Sequence, residues 1–261
     1  MLLLLTLFCI GIIGGFLSGL LGFGGAVIII PLMLTLPSLL GLGEISVKTA
    51  AGLSMVQVFF ASLSGVIVHK RNRNIRTDAL IYTGLPLGIC ALLSAYLSKD
   101  MADERMLCIF ALLTISAFLM LLFDSTDEEK QLLTETGVRP FNRVLAIILG
   151  CATGTLSGVV GVGGGFIIIP LMTRFLKIPL KNAVGTSLGI VLIGSVLGAA
   201  GKILSLQVDP VLVIPLILGS VIASRFGARL SGRAPSALLK YALILVIALS
   251  IVQTIFRIMS K

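Results

Sequence analysis

The sequence predicts an all-α polytopic membrane protein, made of two inverted five-segment repeats that each carry a glycine-rich broken or re-entrant helical hairpin. Three observations predict it. The 261 residues are 57% hydrophobic and only 12% charged, with a mean hydropathy of +1.14. That leaves too few charges to cover a water-facing surface, so the solvent is lipid. The string GTLSGVVGVGGGFIIIPLM, from Gly154 to Met172, repeats GFLSGLLGFGGAVIIIPLM, from Gly15 to Met33, 139 positions later, with thirteen of nineteen residues identical. KTAAGLS at Lys48–Ser54 recurs as KNAVGTS at Lys181–Ser187, with four of seven residues matching, and two apolar segments follow each copy.

Taken in order, ten apolar segments lie between the charge clusters, at about 2–21, 26–40, 48–69, 78–98, 106–123, 143–160, 166–177, 182–201, 210–230 and 236–256. The first segment has no positive n-region and no small-residue cleavage site before its glycines, so it reads as a membrane segment rather than a removed leader. The acidic stretch that begins DSTDEEK at Asp124 divides the ten segments five and five. The expected units are a first repeat at 1–123, an acidic cytoplasmic linker at 124–140 and a second, inverted repeat at 141–261.

Charge sets the orientation. If Lys70, Arg71, Arg73 and Arg76 are cytoplasmic, alternation puts fourteen of the twenty Lys and Arg residues on that side. Only Lys48, Lys99, Arg105, Lys202, Arg257 and Lys261 fall on the other. Short-loop positive charge is retained inside, so both termini are expected outside.

The seventh segment has only eleven residues, Phe166 to Leu176, before Lys177. At ~1.5 Å per residue it reaches about halfway across a ~30 Å hydrocarbon core. Segment six is therefore expected to enter, unwind at Gly161–Gly165 near mid-membrane and return as segment seven, with segments one and two doing the same from the opposite face at Gly22–Gly25. Non-helical backbone at that depth is tolerated only where protein or a watery cavity satisfies it. The helices restarting there aim unpaired N–H groups and positive dipole ends into the membrane's middle, an anion site with no charged side chain. Interrupted helices at matching places in two halves are the sequence pointer to a transporter's central site.

Gly24, Gly25, Gly163 and Gly164 are the candidates for that site, because clusters this dense exceed what helix packing needs. Gly15, Gly19, Gly154 and Gly158, spaced by four, read as helix-packing positions. Ser18 and Ser157 lie one turn before the breaks, and each either donates a hydroxyl to an anion or bonds back to its own helix. Thr186 and Ser187 in the second half, and Ser54 in the first, sit in the first turns of the helix that follows and are further candidates for binding the anion, whereas Asn182 reads as a cap. Gln57 aligns with Ile190 and so has no polar twin; it either contacts substrate or ties two helices together. His69 reads as interfacial, and Lys48 and Lys181 as snorkelling lysines.

Several classes are excluded or disfavoured. No Asp or Glu stands well inside an apolar segment, so no carboxylate relay is visible. No Walker or GxGxxG pattern appears in a suitable context, and no nucleophile–base pair or metal-ligand spacing supports an enzyme, a cofactor or a metal. The basic residues lack the aromatic interleaving of a nucleic-acid surface. Cys9, Cys90, Cys108 and Cys151 read as buried small hydrophobes.

The paired GxLSGxxGxGG…IIIPLM strings, each followed by an A-x-G-x-S element, resemble the sulfite exporter TauE/SafE family, also called the 4-toluene sulfonate uptake permease family. The resemblance spans essentially the whole chain. It implies a secondary transporter, an exporter in a bacterial inner (plasma) membrane, for small sulfur-containing anions such as sulfite, sulfonates or organosulfur compounds. The glycine hairpins would form its transport core. The first half departs from the pattern at Ala26, where a third glycine would stand, and at Leu53, where the second half has Thr186. A passive anion channel and a non-transporting membrane subunit remain as alternatives, and assembly as a homo-oligomer is left open.

Overall fold

The computed structural model describes residues 1–71, 76–123 and 142–259; the expected linker at 124–140 lies outside them, as do the side chains of His69 and Lys181. The described chain forms ten α-helices: α1 Leu2–Leu21, α2 Ala26–Leu39, α3 Val47–Arg71, α4 Thr77–Leu97, α5 Asp103–Leu122, α6 Arg143–Val160, α7 Gly165–Arg174, α8 Leu180–Leu204, α9 Pro210–Arg233 and α10 Ser236–Met259. A 3-10 turn at Ser98–Asp100 joins α4 to α5. Eight helices are long and apolar enough to cross a membrane, and α2 and α7 are the shorter exceptions.

Burial orders the bundle. The membrane-length windows of α3 and α8 are 72% buried, against 33–44% for the other six, so these two helices form the centre. Residues facing away from the protein on the outer helices are large and apolar, as at Ile81, Leu85, Ile89 and Leu93 on α4 or Leu245, Leu249, Val252 and Phe256 on α10. Such stripes at helical spacing belong against lipid chains.

Helix pairing crosses between the two sets of five. α1 packs along α9 and α6 along α4; α3 meets α9 and α8 meets α4; α3 and α8 face each other, as do α5 and α10. Exchanging the first five helices for the second five maps this pattern onto itself. Glycine ladders make the tightest pairs. A Cβ at Gly11, Gly15 or Gly19 would overlap the backbone of Leu216, Ser220 or Ser224 on α9. One at Gly150, Gly154 or Gly158 would do the same against Thr83, Leu87 or Ala91 on α4. Gly15, Gly19, Gly154 and Gly158 are thus packing residues, with Gly11 and Gly150 extending each ladder by a turn. Gly154→Val is expected to separate α6 from α4, abolishing the monodisperse folded fraction in detergent and lowering Tm before any transport assay.

Contacts at the helix ends place the loops. Leu3, Glu44 and Asp209 line one cavity of about 320 Å³, Arg257 pairs with Glu44 at 3.4 Å, and the Val47 amide donates to Asp103 Oδ2 at 3.1 Å. The start of α1 and the end of α10 therefore lie at one face. At the other, Arg143 at the start of α6 stacks on Tyr82 at 5.1 Å, and the Arg76 amide donates to Thr186 Oγ1 at 2.9 Å. The two five-helix sets start at opposite faces.

One expectation needs correction. α1 and α6 do not stop at mid-membrane: with 20 and 18 residues they span about 30 and 27 Å. Gly22 ends α1 against Val184, one turn inside α8, and Gly161 ends α6 against Ala51, one turn inside α3. The chain then doubles back before the next helix begins, so it is the connection after each long helix, not its end, that reaches mid-height.

Candidate functional site

Each break is built from three left-handed glycines. Gly22, Gly24 and Gly25 have φ of 79°, 85° and 80°; Gly161, Gly163 and Gly164 have 84°, 68° and 77°. The first glycine closes the long helix, its amide donating to the Ser18 carbonyl at 2.9 Å or the Ser157 carbonyl at 2.8 Å. The third caps the short helix: Ile29 donates to the Gly25 carbonyl at 3.2 Å and Ile168 to the Gly164 carbonyl at 3.0 Å. Between them the Val162 amide still donates to the Ser157 carbonyl, at 3.1 Å, and the amides that follow precede the ladder of the short helix. Left-handed φ at three of four positions is what lets the chain reverse this sharply, and side chains there would be strained.

The middle glycines meet. A Cβ at Gly24 would lie 2.7 Å from Val58 Cγ1 and 3.1 Å from Val191 Cγ1; one at Gly163 would lie 3.0 and 3.4 Å from the same two methyls. Val58 stands eleven residues into the 25-residue α3 and Val191 eleven into the 25-residue α8, so both breaks converge at half-height. Gly165 touches the backbone of Phe23 in the first break, leaving no room for a Cβ.

Residues 21–30 and 159–170 are all buried, closing the convergence off from both faces. Two serines secure it. Ser54 Oγ donates to the Gly161 carbonyl at 2.7 Å, and Ser187 Oγ to the Gly22 carbonyl at 2.7 Å, each clasping the other half's break. Thr186 lies toward the α3–α4 end, where its hydroxyl takes the Arg76 amide that opens α4. The equivalent α9 start is capped instead by Asp209, whose carboxylate takes the Val211 and Leu212 amides. That difference gives Leu53 no polar duty to perform. Asn182 does not cap α8: Pro179 is the N-cap residue and Asn182 is exposed.

Three candidates stay polar with little or nothing to bond. Ser18 Oγ and both amide atoms of Gln57 are buried without a protein partner, which removes back-bonding for the first and helix-tying for the second. Ser157 Oγ reaches only the Gly154 carbonyl, at 3.4 Å, and lies 3.1 Å from where a Gly164 side chain would begin. Thr83 Oγ1 is likewise buried and unpartnered; the sequence reading missed it because a threonine in an apolar helix ordinarily bonds back to its own backbone. Buried amides without partners cost about 1–3 kcal/mol each and are rare enough to require a reason.

The structure thus brings Gly24, Gly163 and, through their neighbours, Gly25, Gly164 and Ser157 to one central region. Gln57 is next to Val58 in that layer, whereas Ser54, Ser187 and Thr186 act as fasteners around it. Two opposed helix N-termini meet in this region, a geometry chemically suited to a small anion, with no cation in the set.

Comparison with known proteins agrees in scope. The profile of the family described as sulfite exporter TauE/SafE matches residues 7–254. The probable membrane transporter protein YdhB of Bacillus subtilis is 32% identical over 252 residues, covering 96% of this chain and 98% of that protein. A probable membrane transporter protein of Methanocaldococcus jannaschii is 28% identical, covering 88% and 89%, and YunE of Bacillus subtilis is 23% identical, covering 85% and 86%. No solved structure matches.

Proposed function

The chain belongs to the sulfite exporter TauE/SafE family, a multi-pass membrane transporter by that kinship, and we propose that it moves a small sulfur oxyanion, such as sulfite or a sulfonate, by alternating access. The two inverted halves, 1–123 and 141–261, rock about the convergence of their glycine breaks. Gly24, Gly25, Gly163 and Gly164 present backbone amides; Ser18, Ser157 and Gln57 supply the neutral donors that hold the anion's oxygens. Ser54, Ser187 and Thr186 keep the breaks in place around it.

The observation that carries this reading is the pairing of two facing helix N-termini with a fully buried glutamine whose amide has no protein partner. An oxyanion meets both needs at once: it accepts from the backbone amides that open α2 and α7 and from Gln57 Nε2. Closure of the breaks from both faces favours alternation over a passive channel, which needs a continuous path.

The test is radiolabelled sulfite uptake into liposomes containing only this protein, competed by unlabelled sulfate, taurine and chloride. Saturable uptake that is competed by sulfur oxyanions and shows counterflow is expected. Uptake no greater than in empty liposomes, from protein shown to be folded, would overturn the reading.

A further inference from the structure

Lys202, near the end of α8, is one of the six basic residues that the charge pattern puts on the outer face. It is fully buried, 0% exposed. Its ammonium uses all three protons: Nζ donates to Ser98 Oγ at 2.7 Å, to the Val159 carbonyl at 2.9 Å and to Gln207 Oε1 at 2.8 Å. Gln207 Nε2 in turn donates to Ser205 Oγ at 2.9 Å and more loosely to Ser98 Oγ at 3.4 Å. None of the acceptors carries a charge, and among the described residues no carboxylate pairs with this lysine.

A buried charge with neutral partners is costly unless something compensates. Here the compensation is the negative ends of two helices, the last turn of α8 itself and the Val159 carbonyl in the last turn of α6. Position gives the cluster a further meaning. Val159 lies two residues before Gly161, so the ammonium holds the last turn of α6 just before the second break. Its other partners come from the 3-10 turn after α4 and from the α8–α9 connection. One ammonium therefore ties together three segments, drawn from both halves, at the face where α1 starts and α10 ends.

We propose that Lys202 is the gate residue of that face: its three bonds hold the end of α6 shut, and they are broken and remade once per transport cycle. The proposal rests on the transporter reading of the same breaks. Neutral acceptors suit a gate, because an approaching oxyanion is a better partner for the ammonium than a hydroxyl or an amide oxygen and can replace them. Lys202 acts as a positioning residue for the break while the gate is closed, and meets the anion when it opens.

The test reads accessibility separately at the two breaks. In a chain freed of its four native cysteines, Val160→Cys beside the second break and Leu21→Cys beside the first are labelled with a hydrophilic maleimide in lipid nanodiscs. Lys202→Met is expected to raise the labelling rate at position 160 at least tenfold and to leave position 21 unchanged. Ser98→Ala combined with Gln207→Leu keeps the lysine, removes two acceptors and is expected to raise it less; this variant decides the matter if Lys202→Met does not fold. No increase at position 160, or an equal increase at both positions, would overturn the gate, since the latter is general loosening. Sulfite uptake by the unsubstituted protein is a separate readout, so failure of the anion reading and failure of the gate are told apart.

Discussion

Replacing Gln57 with leucine is expected to abolish sulfite uptake while leaving the protein at least as stable as before. The two effects part because of what surrounds this side chain. It is fully buried on the central helix α3, and neither its Nε2 nor its Oε1 finds a protein partner. An unsatisfied buried amide lowers stability by about 1–3 kcal/mol, and an apolar side chain of similar size removes that penalty. The sequence already contains the control, since the matching position on α8 is Ile190, buried at 0% exposure. A hydrogen bond to a charged ligand is worth about 1.5–3 kcal/mol, so its loss weakens anion binding by roughly ten- to more than a hundredfold. Thermal unfolding in detergent beside uptake in liposomes separates the cases. A fall in Tm accompanying the loss of uptake would mean that the amide is a structural bridge, and unchanged uptake would remove Gln57 from the site.

What could be read from the sequence follows a physical line. Helix positions were legible because ten apolar runs are punctuated by charge and glycine, and the observed helices start and end within about three residues of those runs. The breaks were legible too, since three glycines in four positions have no place inside a helix. Depth was not. The shortness of α7 suggested that its partner also stops midway, yet α6 runs on to Ala51 before the chain doubles back. Nothing in the string GVGGGF distinguishes a turn at mid-height from a turn beyond it that returns. Polar roles were legible only in part, because a hydroxyl's duty depends on which carbonyl of another helix lies nearby. Ser18 and Ser54 look alike in sequence; one has no partner and the other clasps Gly161. Lys202 was missed for the same reason. Near the end of an apolar run, a lysine is ordinarily a snorkelling residue, and only the fold puts Gln207 of the α8–α9 connection and Ser98 of the turn after α4 around it.

Gly163→Ala is expected to leave a folded protein that no longer transports, and Gly24→Ala to do the same. Both residues hold left-handed φ, 68° and 85°, so a methyl costs about 1–2 kcal/mol in backbone strain. Neither new methyl meets backbone; each meets Val58 Cγ1, at 3.0 and 2.7 Å, with Val191 Cγ1 next. Side-chain ends can give, whereas Gly161→Ala would drive a methyl into the Ala51 carbonyl and is expected not to fold at all. The surviving variants carry their methyl at the point where the two helix N-termini face each other, the place an anion must reach to touch the amides. Adding Val58→Ala makes room for either methyl and recovers the part of the stability lost to crowding. If crowding alone stops transport, that second change restores uptake. If the amides hold the anion, uptake stays below about a tenth of the original despite the recovered fold, because the methyl still shields them. Gly41→Ala supplies the baseline, with φ of 67° but nothing within 4 Å of the new Cβ: the same kind of strain, far from the breaks, with transport expected to be unchanged.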